Sequence, residues 1–281
     1  MENDTLRPVA PARPVAPYIG GKKHLAERLA ACIAAVPHDS YVEPFVGMGG
    51  VFLRRRRAPK LEVINDISGD VATFFRILQR HYVPFMDMLR WQVAGRREFE
   101  RLLASDPTTL TDLERAARFL YLQRAAYGGK VAGRSFGVSP GASSRFDVTR
   151  LAKLLDDLHE RLAGVVIECL PYAEVIARYD RPGTLFYLDP PYHGSETDYG
   201  AGVFAAADFR RLAGQLAGIN GRFILSINDT PEMRSTFAAF DQETVELTYS
   251  VNGASPQRVS ELIVCSAGLP AEHAAPKGLF D

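Results

Sequence analysis

The 281-residue chain has only three cysteines, Cys32, Cys169 and Cys265. They lie far apart and form no C-x-x-C pair, which excludes a disulfide framework and a zinc knuckle and leaves them as small apolar residues. No apolar run approaches the ~20 residues that span a bilayer, and the N-terminus MENDTLRPVAPARPVAP lacks the apolar stretch of a secretory signal. A cytoplasmic protein with no membrane partner is the expectation. The full G-x-G-x-x-G and G-x-x-x-x-G-K-[ST] patterns are missing, which removes the main support for dinucleotide and triphosphate binding. Also absent are the H-x-E and P-C-x-x-C elements of the zinc deaminases.

Net charge is lacking too, with 33 basic and 33 acidic residues, but the balance is local. Residues 1–150 hold 23 Lys/Arg against 15 Asp/Glu, and residues 151–281 hold 10 against 18. A polyanion, if one binds, should touch the first half. Basic residues concentrate at Arg54 to Arg57 with Lys60, and in 118–150, where six of them face only Asp147. A solvated surface is the plainer account of any one such run. With 47% apolar residues the chain can bury a sizeable core.

The first 16 residues, rich in proline and small residues, read as a flexible arm. Helical spacing of Leu25, Leu29, Cys32, Ile33 and Val36 follows a Gly20-Gly21 turn and closes at Pro37. Tyr41 to Phe45 reads as a strand, followed by the glycine-rich loop 46–50 and by Val51-Phe52-Leu53, which can open a second helix. A strand over Leu61 to Asn65 ends at Asp66, and Ser68 can cap the next helix. This is the opening of a nucleotide-binding α/β sheet. Residues 75–150 read as an inserted, mainly helical subdomain, with a capping box at Thr111 and Glu114 and a glycine-rich region carrying Lys130, Arg134 and Arg145. Strands return at Val165 to Cys169, Thr184 to Asp189, Arg222 to Asn228, Thr244 to Tyr249 and Val259 to Cys265. The catalytic core is thus expected over 17–74 and 151–270, and a tail over 271–281.

Two elements carry chemistry. In Glu43-Pro44-Phe45-Val46-Gly47-Met48-Gly49 the glycines let backbone N–H groups approach a ligand, and Asp66, about 20 residues on, stands where a carboxylate can accept both ribose hydroxyls. In Leu185-Phe186-Tyr187-Leu188-Asp189-Pro190-Pro191-Tyr192 a buried strand delivers one carboxylate at its end, two prolines stiffen the exit and an aromatic ring follows. Alone, an Asp-Pro turn beside a core tyrosine explains the second element as well; its strand and the upstream nucleoside-type turn favour a site.

With Tyr18-Ile19-Gly20-Gly21-Lys22 and Asn65-Asp66-Ile67, these elements occur in an order that resembles the D12 class of DNA adenine-N6 methyltransferases, the Dam-like group, over about residues 17–265. The segment Phe119 to Arg124 and Tyr127-Gly128-Gly129 resembles that family's entry to its recognition hairpin. The resemblance implies an α/β, Rossmann-like S-adenosylmethionine-dependent methyltransferase core with an inserted, mainly helical target-recognition subdomain. It implies S-adenosyl-L-methionine as cofactor, held by Tyr18, Lys22, Phe45, Gly47, Gly49, Asp66 and Asp189. Catalysis falls to Asp189, Pro190, Pro191 and Tyr192: the Asp189 carboxylate and the Pro190 carbonyl accept from the amine of a flipped adenine, and Tyr192 stacks on it. No metal is implied. Double-stranded DNA is the expected partner, contacted by Arg124, Lys130, Arg134 and Arg145, and a cognate restriction endonuclease is a second. At Leu170-Pro171-Tyr172 the chain departs from the family, because Pro171 stands where an acid usually receives the cofactor adenine. Backbone groups, stacking by Tyr172 or another residue must do that work. Cytosine-N4 methylation by the same pocket, RNA or protein methylation, and a catalytically silent DNA-binding protein are the competing readings.

Overall fold

A computed structural model describes residues 6–20, 22, 25–138, 144–199, 203–249 and 257–268. In chain order the elements are β1 (Arg7–Pro8), α1 (Ala26–Ala35), β2 (Ser40–Glu43), β3 (Arg57–Ala58), β4 (Leu61–Asn65), α2 (Gly69–Arg80), α3 (Tyr82–Arg90), α4 (Arg96–Ala104), α5 (Asp112–Ala125) and α6 (Val148–Arg161). They continue with β5 (Val166–Glu168), α7 (Tyr172–Tyr179), β6 (Thr184–Leu188), α8 (Ala206–Leu216), β7 (Arg222–Asn228), α9 (Pro231–Thr236), β8 (Asp241–Tyr249) and β9 (Gln257–Cys265).

Seven strands form one sheet in the order β5-β4-β2-β6-β7-β9-β8. The first five run parallel, and β9 inserts antiparallel between β7 and β8. Strand order reverses between β2 and β6, and the crevice beyond the carboxyl ends of these two strands is where a doubly wound sheet takes its ligand. Both faces are covered, as the near-continuous apolar runs require. Tyr41, Ile64, Leu185, Tyr187, Ile224 and Ile263 point to the face packed by α1 to α6. Val42, Val63, Phe186, Leu188, Leu225 and Leu262 point to the other, packed by α7, α8 and α9.

The α/β expectation holds, with three corrections. First, residues 6–16 are no flexible arm. β1 pairs with β3, the Val9 N–H donates to the Arg56 carbonyl at 2.9 Å and that of Ala12 to Leu53 at 2.8 Å, and Leu6, Ala12, Val15 and Ala16 are buried. Second, the helix expected from Val51 is a single 3-10 turn, Phe52–Arg54, because the chain turns at Arg55. The Arg55 guanidinium sinks into the core, stacks 3.6 Å from the centre of the Tyr41 ring and donates to Glu62, which Arg161 also grips with two bonds. Third, α3 to α5 build no core of their own. The Phe74 ring lies 6.1 Å from Phe85 and 5.8 Å from Phe119, so these helices share the layer that covers the sheet. After α5 comes a hairpin, closed by the Ala126–Phe136 bridge and by the Tyr127 N–H donating to the Ser135 carbonyl, whose Phe136 ring packs 5.5 Å from Phe99 of α4.

Candidate active site

At the switch point lies a cavity of about 1020 Å³. Its walls bring together Tyr18, Lys22, Phe45, Gly47, Asp66, Tyr172, Asp189 and Pro191 from five stretches of chain. Gly49 is close by but turned toward Leu53, and Tyr192 stands behind Lys22 rather than on the wall.

Each strand end delivers its residue for a local reason. Beyond β2 the chain turns through Gly47, whose φ of +51° suits glycine, and a Cβ there would meet the Tyr18 ring at 3.0 Å. The Gly47 N–H donates to one Asp66 oxygen at 2.9 Å and the Ser68 N–H to the other at 2.9 Å. These bonds aim the Asp66 carboxylate, and burial pushes its pKa up to about 6 against their pull. Asn65 ties three strand ends, donating to the Pro44 and Leu170 carbonyls and accepting the Leu170 N–H at 2.8 Å.

Asp189 follows β6. Its carboxylate is 3.0 Å from the Lys22 ammonium, which is itself buried and also 3.0 Å from Glu261 of β9. Lys22 donates to the Tyr192 hydroxyl at 2.5 Å as well, and that hydroxyl donates to Glu261. Burial raises Asp189 to about 6, with Lys22 and the Ser226 hydroxyl holding it down and Glu261 pushing it up. Glu43, accepting from the Tyr41 hydroxyl at 2.5 Å, is raised to about 8 by burial. After Tyr192, Asn228 exchanges two backbone bonds with His193 and fixes the exit of the proline pair on β7.

A cluster of three tilted aromatic rings, Phe45, Tyr172 and Phe204, forms another part of the wall. The Tyr172 ring, on the first residue of α7, lies 5.4 Å from Phe45 and 5.8 Å from Phe204. Its hydroxyl faces Asp208, whose carboxylate also lines the cavity. Pro171 offers no side-chain acceptor there; Asp208 of α8, beside Tyr172, accepts the Ala205 N–H at 2.9 Å and pairs with Arg211 at 3.0 Å.

Sequence reading missed Glu261, Glu43, Ser226, Phe204 and Asp208. The one available signal was the charge of Glu261 inside an apolar strand, where a buried carboxylate needs a partner. Of the four basic residues read as DNA contacts, Arg124 is on the cavity wall, donating to the Val15 and Arg145 carbonyls. Arg134 donates to Gln123 and the Lys130 carbonyl, and Arg145 donates to the Ala126 carbonyl, so both brace the hairpin, while Lys130 is exposed.

The family model described as D12 class N6 adenine-specific DNA methyltransferase matches residues 18–251. A DNA adenine methylase of Haemophilus influenzae is 25% identical, with 93% of this chain and 96% of that protein covered. The DNA adenine methylase of Escherichia coli K12 is 26% identical over 80% and 85% of the two chains. The Type II methyltransferase M1.LlaDCHI of Lactococcus lactis subsp. cremoris is 24% identical over 91% and 96%.

Proposed function

The chain belongs to the D12 class N6 adenine-specific DNA methyltransferase family, and on that premise we propose that its cavity takes S-adenosylmethionine and a flipped-out adenine side by side. The enzyme is a site-specific DNA adenine-N6 methyltransferase. The observation that carries the finer reading is that Asp189 and Asp66, two aimed carboxylates, share a cavity with a cluster of aromatic rings. The residues suit the donor. The cavity face of the Tyr172, Phe45 and Phe204 cluster would stack on its adenine, Asp208 would accept from the adenine amine, and Asp66, with both oxygens already oriented, would receive the ribose hydroxyls. When bound, S-adenosylmethionine supplies an electrophilic methyl group.

The chain's own groups supply the rest. Adenine N6 is a poor nucleophile because its lone pair is delocalised into the ring, and in a stacked duplex it is out of reach, so the base must leave the stack at a cost of a few kcal/mol. The Asp189 carboxylate and the Pro190 carbonyl accept from the N6 hydrogens, turning the lone pair toward the methyl. Positive charge develops on N6 during transfer, an ionised Asp189 stabilises it, and the surplus N6 proton then leaves to water. Lys22 keeps Asp189 ionised and in place. The Type II methyltransferase relative supports a cognate restriction endonuclease as the cellular partner.

The test is labelled-methyl transfer to adenine-containing duplex DNA. Label should appear in N6-methyladenine, and Asp189→Ala should keep duplex binding while losing transfer by about two to four orders of magnitude, the scale of one aimed electrostatic partner. Because Asp189 must be ionised and its pKa stands at about 6, transfer should fall as pH is lowered through that value. Near-normal turnover by Asp189→Ala, or label in cytosine, overturns the reading.

A further inference from the structure

Among the described residues four cations line the cavity, namely Arg13, Lys22, Arg54 and Arg124. Two are committed. Lys22 is held between Asp189, Glu261 and Tyr192, and Arg124 is spent on the Val15 and Arg145 carbonyls. The other two come from the strap and the turn beneath it. Arg54 gives one donor to the Gly50 carbonyl at 2.5 Å, with Glu27 acting on it from α1, and among the described residues Arg13 makes no ion pair. Like charges facing one wall of a cavity repel, and burial works against the Arg54 charge as well.

The strap is fixed where it is by its own burial. Ala12 and Val15 are buried, the Ala12 N–H is bonded to the Leu53 carbonyl, and the strap precedes residue 18, where the family match begins. Arg13 therefore reaches the rim from a rigid segment, next to the loop that carries Gly47 and Gly50. The remaining charged groups on the wall among the described residues, Glu43, Asp66, Asp189 and Asp208, are carboxyls, so among those residues the uncommitted positive charge that an anion would meet is that of Arg13 and Arg54.

Resting on the reading of the cavity as an S-adenosylmethionine site, we infer that Arg13 and Arg54 form the subsite for the donor's α-carboxylate, with the N-terminal strap as part of the cofactor site. The donor's charge then runs with the wall: its cationic sulfonium faces the Asp189 side and its carboxylate faces the arginine side. A guanidinium suits that role because its planar donors match a carboxylate in pairs.

The test measures binding of S-adenosylmethionine, S-adenosylhomocysteine and decarboxylated S-adenosylmethionine by calorimetry to the wild type, Arg13→Ala, Arg54→Gln and the double variant, with duplex affinity measured in parallel. Arg13→Ala leaves the strap's backbone bonds at Val9 and Ala12 in place, and Arg54→Gln keeps a donor for the Gly50 carbonyl. The wild type should bind the two carboxylate-bearing ligands about tenfold more tightly than the decarboxylated one, and the double variant should lose that difference, since a tenfold change is the size of one charge-assisted bond. Equal losses for all three ligands would mean that the arginines only shape the loop. A loss confined to duplex binding would assign them to a phosphate of the DNA. A wild type that binds none of the three ligands would instead overturn the cofactor reading on which this subsite rests.

Discussion

One ammonium serves two carboxylates at the centre of the site. Lys22 lies 3.0 Å from both Asp189 and Glu261, and stripping a buried pair of its partner leaves a charge that burial penalises by several kcal/mol, so the three groups stand or fall together. Glu43 is the contrasting case. Burial sets its pKa at about 8, so the folded protein holds a proton that the unfolded chain releases above the ordinary glutamate value. The folded state then binds more protons than the unfolded one, and stability contributed by this group declines as pH rises toward 8. Glu43→Gln keeps the acceptor for the Tyr41 hydroxyl but cannot ionise. Its melting temperature should exceed that of the wild type by a margin that widens from pH 5 to pH 8 and is level above; a margin that does not change with pH would show that Glu43 is ionised throughout. At this scale Asp66 and Asp189 were legible, because each follows an apolar strand with a stiff turn behind it. Glu261 was not, since it meets Lys22 across 239 residues and only the folded sheet puts β9 beside β7, one strand from β6.

Among the elements, the strands read most clearly. Leu61–Asn65 and Arg222–Asn228 have the bounds that their apolar patterns predict, because strands buried on both faces leave little choice of residue. The strap and the turn at Phe52 to Arg54 did not read, and for one reason. Proline and alanine spacing looks like an extended coil until the partners at 53–58 are in place, and the run of four arginines looks like surface until Glu62 and Tyr41 draw Arg55 inward. The cluster of Phe45, Tyr172 and Phe204 was legible only in part, because Phe204 lies just before α8 and shares no motif with the other two. Its contribution is open to measurement. Tyr172→Ala and Phe204→Ala should each weaken S-adenosylmethionine binding by about 0.5 to 1.5 kcal/mol, the worth of one aromatic pair beyond its buried area. Calorimetry with thermal melts on the same samples decides it, for a lower melting temperature with unchanged affinity would make the rings packing alone.

Taken as one molecule, the chain separates its charge by halves and joins them at the cavity. The excess of Lys and Arg lies in residues 1–150, which hold the strap and the hairpin, and the excess of acid lies in the half that supplies Asp189, Asp208 and Glu261. The hairpin is docked on the strap. Gln123 donates to the Pro17 carbonyl at 2.8 Å and to that of Gly129 at 2.7 Å, and a Cβ on Gly129, whose φ is +69°, would strike the Pro17 backbone at 3.0 Å. Whatever the hairpin touches is thereby referred to Tyr18, the next residue and part of the cavity wall. Its basic residues should divide by how they are held. Lys130 is exposed, so Lys130→Ala should weaken duplex binding alike for all sequences and reduce the salt slope by about one, as loss of a single phosphate contact does. Arg145 braces the Ala126 carbonyl from within, so Arg145→Ala should lower the melting temperature and blur the preference among duplexes at every salt concentration. Titrating both variants with cognate and scrambled duplexes at two salt concentrations separates the two roles. If Arg145→Ala lowered only the salt slope and left the melt untouched, the guanidinium would be a phosphate contact like Lys130, and the brace would have to come from Arg134 through Gln123.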